Sequence, residues 1–188
     1  RLDGTEQYFA RAIDFGYSFS VDETFEQWGR EEILDDFVRI IRTVRPDVVI
    51  TMNPDGEGGG QHHQATARLA GEAFRAAADP ARFPHHFRDG LRPWQPRKLY
   101  YGLGFARRAA AGPRVTEVRT DLYDPLLGRT YAEIGSEARS QHKCQGMAQL
   151  MALPGPAAAS YRLADSSIAA SADGTESSLF DGVETRIE

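Results

Sequence analysis

Asp47-Val-Val-Ile-Thr-Met-Asn-Pro-Asp-Gly-Glu-Gly-Gly-Gly-Gln-His-His-Gln64 is the stretch whose reading decides the fold. Val48, Val49 and Ile50 are consecutive β-branched residues, the pattern of a strand covered on both faces in a parallel sheet. A polar loop with four glycines follows, from Asn53 to Gln61. A helix then starts near His62 and runs to about Ala77, with Leu69, Ala70, Ala73, Phe74 and Ala77 on one side and Thr66 in line one turn earlier. Upstream, Ser20-Val-Asp-Glu23 has capping-box spacing. It predicts a helix to about Val44, with a core-facing stripe of Leu34, Phe37, Val38 and Ile41, stopped by Arg45-Pro46. Helix, strand, Gly-rich loop, helix is half of a doubly wound α/β layout, in which ligands sit at the carboxyl ends of the strands.

Further from the centre the reading is coarser. Gln7 to Phe15 reads as a strand by its alternation of Phe9, Ile13 and Phe15. Asp79 to Pro96 is irregular. Lys98 to Leu103 and Val115 to Leu122 read as two more strands, and Thr130-Tyr-Ala-Glu133 opens a helix to about Leu150. The domain division expected is 1–153 for the α/β unit and 154–188 for a segment rich in Ala, Ser, Gly and Asp, ordered only in part, with Ser178 to Gly182 docking back.

Composition narrows the function classes. The 188 residues carry 22 Lys+Arg against 27 Asp+Glu, a net charge of −5. There is no basic excess to displace counterions, which argues against a nucleic-acid partner. No apolar run approaches the roughly 20 residues of a transmembrane segment. The single cysteine, Cys144, excludes an internal disulfide framework and a thiolate-rich zinc site.

Chemistry concentrates in the Gly-rich loop. Its glycines allow close backbone approach to a ligand, and His62 and His63 stand at a helix N-terminus. Imidazole is a good zinc ligand, although adjacent histidines on such a loop are also an ordinary polar turn. Gly56-x-Gly58 begins a dinucleotide fingerprint, but Gln61 stands where its last glycine belongs, and no Gly-Lys-Ser/Thr is present. A nucleotide-binding domain is thus a reading that rests on the loop alone. A second candidate is the third helix, where Ala138, His142 and Gln145 share one face and Arg139 and Lys143 a neighbouring one. That stripe suits a polar or anionic ligand, or a solvated face with snorkelling cations. His85-His86 reads as surface, Cys144 as a packing residue, and Trp28, Trp94 and Tyr100-Tyr101 as sugar-site or core aromatics.

Five ordered stretches carry a resemblance. They are Ala12-Ile-Asp-Phe-Gly-Tyr-Ser18, Arg45-Pro-Asp-Val-Val-Ile50, Gly58-Gly-Gly-Gln-His-His-Gln64, Pro93-Trp-Gln-Pro-Arg-Lys-Leu-Tyr100 and Arg139-Ser-Gln-His-Lys-Cys-Gln-Gly146. Together the set resembles the PIG-L/LmbE-like de-N-acetylases, above all their large multidomain bacterial members. The resemblance implies a Rossmann-like three-layer α/β fold with a mostly parallel sheet, and a zinc-dependent hydrolase that removes N-acetyl groups from a small-molecule or glycoconjugate amino-sugar substrate. It maps the family's later metal-ligating histidine onto His63. The histidine that stabilises the oxyanion falls on Gly60, leaving His62 as its stand-in. Gly59 and Gly60, with Arg139, His142 and Gln145, would line the substrate site. The family's His-x-Asp-Asp motif does not occur in these residues. The chain is therefore expected to lack the family's first strand, with the remaining His and Asp zinc ligands upstream of Arg1, and to be inactive by itself. The alternative implied by Gly60 is a carbohydrate-binding pseudoenzyme that keeps the cleft without the chemistry.

Overall fold

The computed structural model describes residues 6–55, 60–104, 114–143, 151–153, 155–169 and 176–185. Helix α1 (Val21–Trp28) starts as the capping spacing requires: Ser20 Oγ accepts from the Glu23 amide at 3.0 Å. The Glu23 carboxylate reaches back to the Phe19 amide at 2.7 Å. The single helix expected to Val44 is two. Gly29, at φ +74°, ends α1 and begins α2 (Arg30–Val44), because a left-handed residue breaks the helical path. α2 ends at Arg45, itself left-handed, just before Pro46.

Strand β1 (Val48–Met52) runs parallel to β2 (Lys98–Gly102), in register from Val48 with Lys98 to Met52 with Gly102. The connection between them is α3 (Gly60–Ala76) and a 3₁₀ turn at Pro84–Asp89. β2 pairs on its other side, antiparallel, with β6 (Ala158–Ser166). The strand order is β1-β2-β6-β3, where β3 is Val115–Arg119. The α/β expectation is borne out, with a mixed sheet. Three local expectations are corrected. Residues 7–15 form no strand: Phe9 and Ile13 are largely exposed, and Arg11 is instead tied to Asp36 through its amide and guanidinium. β1 is not covered on both faces among the described residues, where Ile50 and Met52 are half exposed, and it stands at the end of the strand order. Residues 158–166, expected to be poorly ordered, are a strand that contributes buried Leu163.

Alanine decides how the helices sit. Ala65, Ala67, Ala70, Ala73 and Ala76 of α3 are all buried. Of these, Ala73 and Ala76, with Leu69 and Ala77, meet Ile33, Leu34, Val38 and Ile41 of α2, and Phe25, Trp28, Phe37 and Trp94 pack around this cluster. On the other side of α3, a Cβ at Gly71 would lie 3.4 Å from the Tyr101 hydroxyl. The absence of that atom lets α3 approach β2.

The chain divides into two compact units, Ala10–Thr116 with Ser160–Glu188, and Arg1–Phe9 with Glu117–Ala159. The second contains the short β4–β5 ladder (Tyr123–Asp124 and Arg129–Thr130) and α4 (Tyr131–Ser140). α4 opens with the complete capping box read from the sequence: Thr130 Oγ1 accepts from the Glu133 amide, and the Glu133 carboxylate accepts from the Thr130 amide. No helix among the described residues is long and apolar enough to cross a membrane.

Candidate functional site

Residues 53–55 and the first turn of α3 lie beyond the carboxyl end of β1, the position at which a layout of this kind binds a ligand. Gly60 opens α3 at φ +66°, and a Cβ there would meet no heavy atom of the described residues within 4 Å. The position is conformationally special and spatially open. His63 is exposed in the first turn of the helix. His62 turns the other way. Its ring lies 4.6 Å from that of Phe15 and 5.1 Å from that of Trp28. The Trp28 indole is fixed by a 2.9 Å bond to the Ile13 carbonyl. His62 Nε2 is buried and has no hydrogen-bond partner among the described residues. The adjacent histidines thus have opposite environments, one wet and one held between aromatic rings. Sequence reading missed this role for Phe15 and Trp28, because residue spacing does not reveal which rings meet across 34 or more positions.

Gly59 and Gln145 lie outside the described residues. Arg139 and His142 belong to the other compact unit. Their expected helical stripe is corrected by the end of α4 at Ser140. His142 stands beyond that end, exposed, with its Nδ1 3.1 Å from the Arg139 carbonyl. The expected i, i+4 pairs, Ala138 with His142 and Arg139 with Lys143, require a continuous helix through both members, and it stops between them.

The described histidines and carboxylates gather elsewhere. Asp35, His85 and His86 place one potential ligand atom each within 4.8 Å of one another, the one such group of three among the described residues. Expected at the surface, His86 is fully buried, while His85 is half exposed. The reason is Arg42, only 2% exposed. Its guanidinium donates to the carbonyls of Ala77, Asp79, Arg82 and Phe83 at 3.1, 2.8, 2.9 and 3.2 Å. It therefore closes the carboxyl end of α3 and the turns that follow. A guanidinium can only donate, so its contact to His86 Nδ1 at 3.0 Å makes that nitrogen an acceptor. The neutral ring then carries its proton on Nε2, 2.6 Å from Asp35 Oδ1, though the two atoms are not aligned for a linear bond. Burial, with Asp35 opposing it, holds the imidazole below its ordinary range. A cation at Nε2 would have to displace that proton or Arg42. Arg11 Nη2, 3.6 Å from Asp35 Oδ2, adds further positive charge. This group is wired as a hydrogen-bonded structural knot, and it sits at the other end of α3 from His63, about 20 Å along the helix at 1.5 Å per residue.

A zinc ion takes three or more protein ligands. Around His63 the described residues supply one, and no group of three includes it. They do not by themselves fit a zinc site.

Comparison with known proteins bears on this region. Residues 6–74 match the family described as PIG-L: GlcNAc-PI de-N-acetylase. The chain is 34% identical over 107 residues to a 1D-myo-inositol 2-acetamido-2-deoxy-alpha-D-glucopyranoside deacetylase of Streptomyces avermitilis, covering 52% of this chain and 35% of that protein. It is 32% identical over 98 residues to a mycothiol S-conjugate amidase of Streptomyces coelicolor, covering 52% and 31%. A deacetylase of the first name from Rhodococcus opacus is 40% identical over 75 residues, covering 40% and 24%. The match spans about a third of the first relatives' own length. The family match runs from the irregular amino-terminal segment through β1 and the Gly-rich loop into α3.

Proposed function

We propose, from the match of residues 6–74 to the PIG-L family, that this chain is part of an amide hydrolase that removes an N-acetyl group from an amino-sugar-containing substrate. The observation that carries the reading is where the family match falls. It ends inside α3 and takes in the β1–loop–α3 junction, the carboxyl-end position at which an α/β sheet binds its ligand. The names of the relatives support the substrate class: both deacetylase and amidase cleave an amide, and the deacetylases act on an acetamido sugar joined to inositol.

Within this proposal His63 is a ligand to the zinc of the whole protein. Its exposure at the first turn of α3 leaves its imidazole free to reach an ion. The other ligands are not among the described residues, so no catalytic step is assigned through the metal. Gly60 leaves the mouth of the helix open for the scissile group or its water. His62, clamped by Phe15 and Trp28, sets the wall behind that mouth and fixes the pitch of the first turn. The test is release of acetate from an N-acetylglucosaminyl inositol by the whole protein. His63→Ala is expected to lower kcat at least 10²-fold, in keeping with loss of a metal ligand. Acetate release unchanged by that substitution would overturn the assignment of His63.

A second reading has one observation behind it. By the resemblance, Gly60 stands at the position of the family's oxyanion histidine, so that donor is missing from this chain's loop. A carbohydrate-binding pseudoenzyme would bind the acetamido sugar and release no acetate in the same assay.

A further inference from the structure

The face of the sheet opposite α3 carries a buried ionic contact unrelated to the loop at His63. Side chains alternate along a strand, and Leu99 and Tyr101 of β2 face α3, where Gly71 lets the helix come close. Lys98 and Tyr100 therefore point to the other face. Lys98 is 1% exposed and Tyr100 fully buried. Both are covered by the segment Glu176–Val183, which contains the Ser178–Gly182 stretch expected from sequence to dock back. Glu176 is 7% exposed. Its carboxylate accepts from Lys98 Nζ at 2.6 Å through one oxygen and from the Tyr100 hydroxyl through the other. The Tyr100 hydroxyl also lies 3.3 Å from the Leu179 carbonyl.

The segment is preorganised to present that carboxylate. Asp181 accepts from the amides of Ser177 and Ser178 at 2.6 and 3.2 Å, folding a tight turn just after Glu176. The Val183 amide closes the far side on the Phe180 carbonyl at 2.9 Å. Leu179 inserts at 9% exposure, while Phe180 remains half exposed. Gly182 takes φ +75° where a Cβ would come within 3.3 Å of Ile168. One leucine is a small apolar anchor for so short a turn. The charged contact is the larger one, because an ammonium left buried without its partner is strongly unfavourable.

We propose that Lys98 and Tyr100 form a carboxylate-receiving site on this face of the sheet, and that Glu176 fills it in cis as a latch holding residues 176–183 in place. Tyr100 is suited to the role: burial first, and Glu176 second, push its phenol far above the ordinary range, so it stays a donor. Lys98 supplies the charge and Tyr100 the direction, and neither has the described geometry to serve the loop at the other end of β1.

Three variants of the 188-residue chain test this. Glu176→Gln keeps the shape and removes the charge. Amide exchange in residues 177–183 is expected to accelerate roughly tenfold or more, as the loss of a charged hydrogen bond implies, with α2 and α3 unchanged. Unchanged exchange in that segment, or equal acceleration across α2 and α3, would overturn the latch. In Glu176→Ala, added formate or acetate is expected to restore protection saturably, whereas chloride at the same ionic strength does not. Absence of a carboxylate-specific effect would overturn the receiving site. The double variant Lys98→Met/Glu176→Leu replaces the pair by apolar groups and is expected to dock more tightly than Glu176→Gln. If it is as loose as the single variant, an unpaired Lys98 charge is not what loosens the segment, which overturns a charged receiving site.

Discussion

Arg42→Met is the most demanding perturbation of this fold. The substitution keeps an unbranched stem of similar length but deletes the guanidinium. Four main-chain carbonyls then lose their charged donor, that of Ala77 in a buried bond and those of Asp79, Arg82 and Phe83 in part-buried ones. A buried acceptor left unpaired costs about 1–3 kcal/mol, and each hydrogen bond to a charged group contributes about 1.5–3 kcal/mol. The losses are not additive, since the post-helical turns can shift together toward water. Removing the desolvated charge itself returns part of the cost. A net destabilisation of about 3–5 kcal/mol follows, a large share of the ~5–15 kcal/mol that holds a domain folded. His86 loses its Nδ1 donor in the same step, and the Phe87 ring loses the guanidinium stacked 5.0 Å away. In urea, with a slope of about 2 kcal/mol per molar, the unfolding midpoint is expected to fall by about 2 M at an unchanged slope. Arg42→Lys is expected to recover little of this, because one ammonium cannot reach carbonyls spread from Ala77 to Phe83. A midpoint shift equivalent to less than about 1 kcal/mol for Arg42→Met would refute the reasoning and mean that the helix end is satisfied in some other way.

Further outcomes are expected at other places in the molecule. His86 is buried with its pKa lowered from 6.5, so the unfolded chain binds its proton first; stability is full above about pH 6.5 and is lost as the pH falls through the folded value. Thermal melts between about pH 8 and pH 5 should show this decline, and a His86→Gln variant with the same slope would remove His86 as its cause. Gly29→Ala places a Cβ 2.5 Å from the Glu32 carboxylate at φ +74°, and should cost about 1–2 kcal/mol by denaturant titration. Thr130→Ala opens the capping box of α4 and should cost about 1 kcal/mol, read as faster amide exchange in residues 131–134. The 188-residue chain is expected to retain no stoichiometric zinc after dialysis, because one imidazole at His63 does not make a site. Metal analysis that finds one tightly held zinc, lost in His63→Ala, would contradict this.

What the amino-acid order determined by itself was local. The β-branched run Val48–Ile50, the Gly-rich loop and the alanine-rich stripe of α3 express backbone preference and period, which act over a few residues, and they place the α/β junction and His63 correctly. The capping spacings at Ser20 and Thr130 mark helix starts for the same reason: donor and acceptor are three residues apart. Tertiary structure decided whatever depended on a distant partner. His85 and His86 look alike in sequence, yet one is half exposed and the other fully buried, because Arg42 stands more than forty positions away. The Ala- and Ser-rich residues 158–166 have weak strand preference of their own and become a strand because β2 offers them a ladder. His62 and His63 share a dipeptide, and the approach of Phe15 and Trp28 sets one ring between aromatics while the other stays exposed. Lys98 and Glu176 lie nearly eighty residues apart, and no local rule reaches that far. Desolvation and charge pairing belong to the space a side chain occupies, and only the folded chain defines that space.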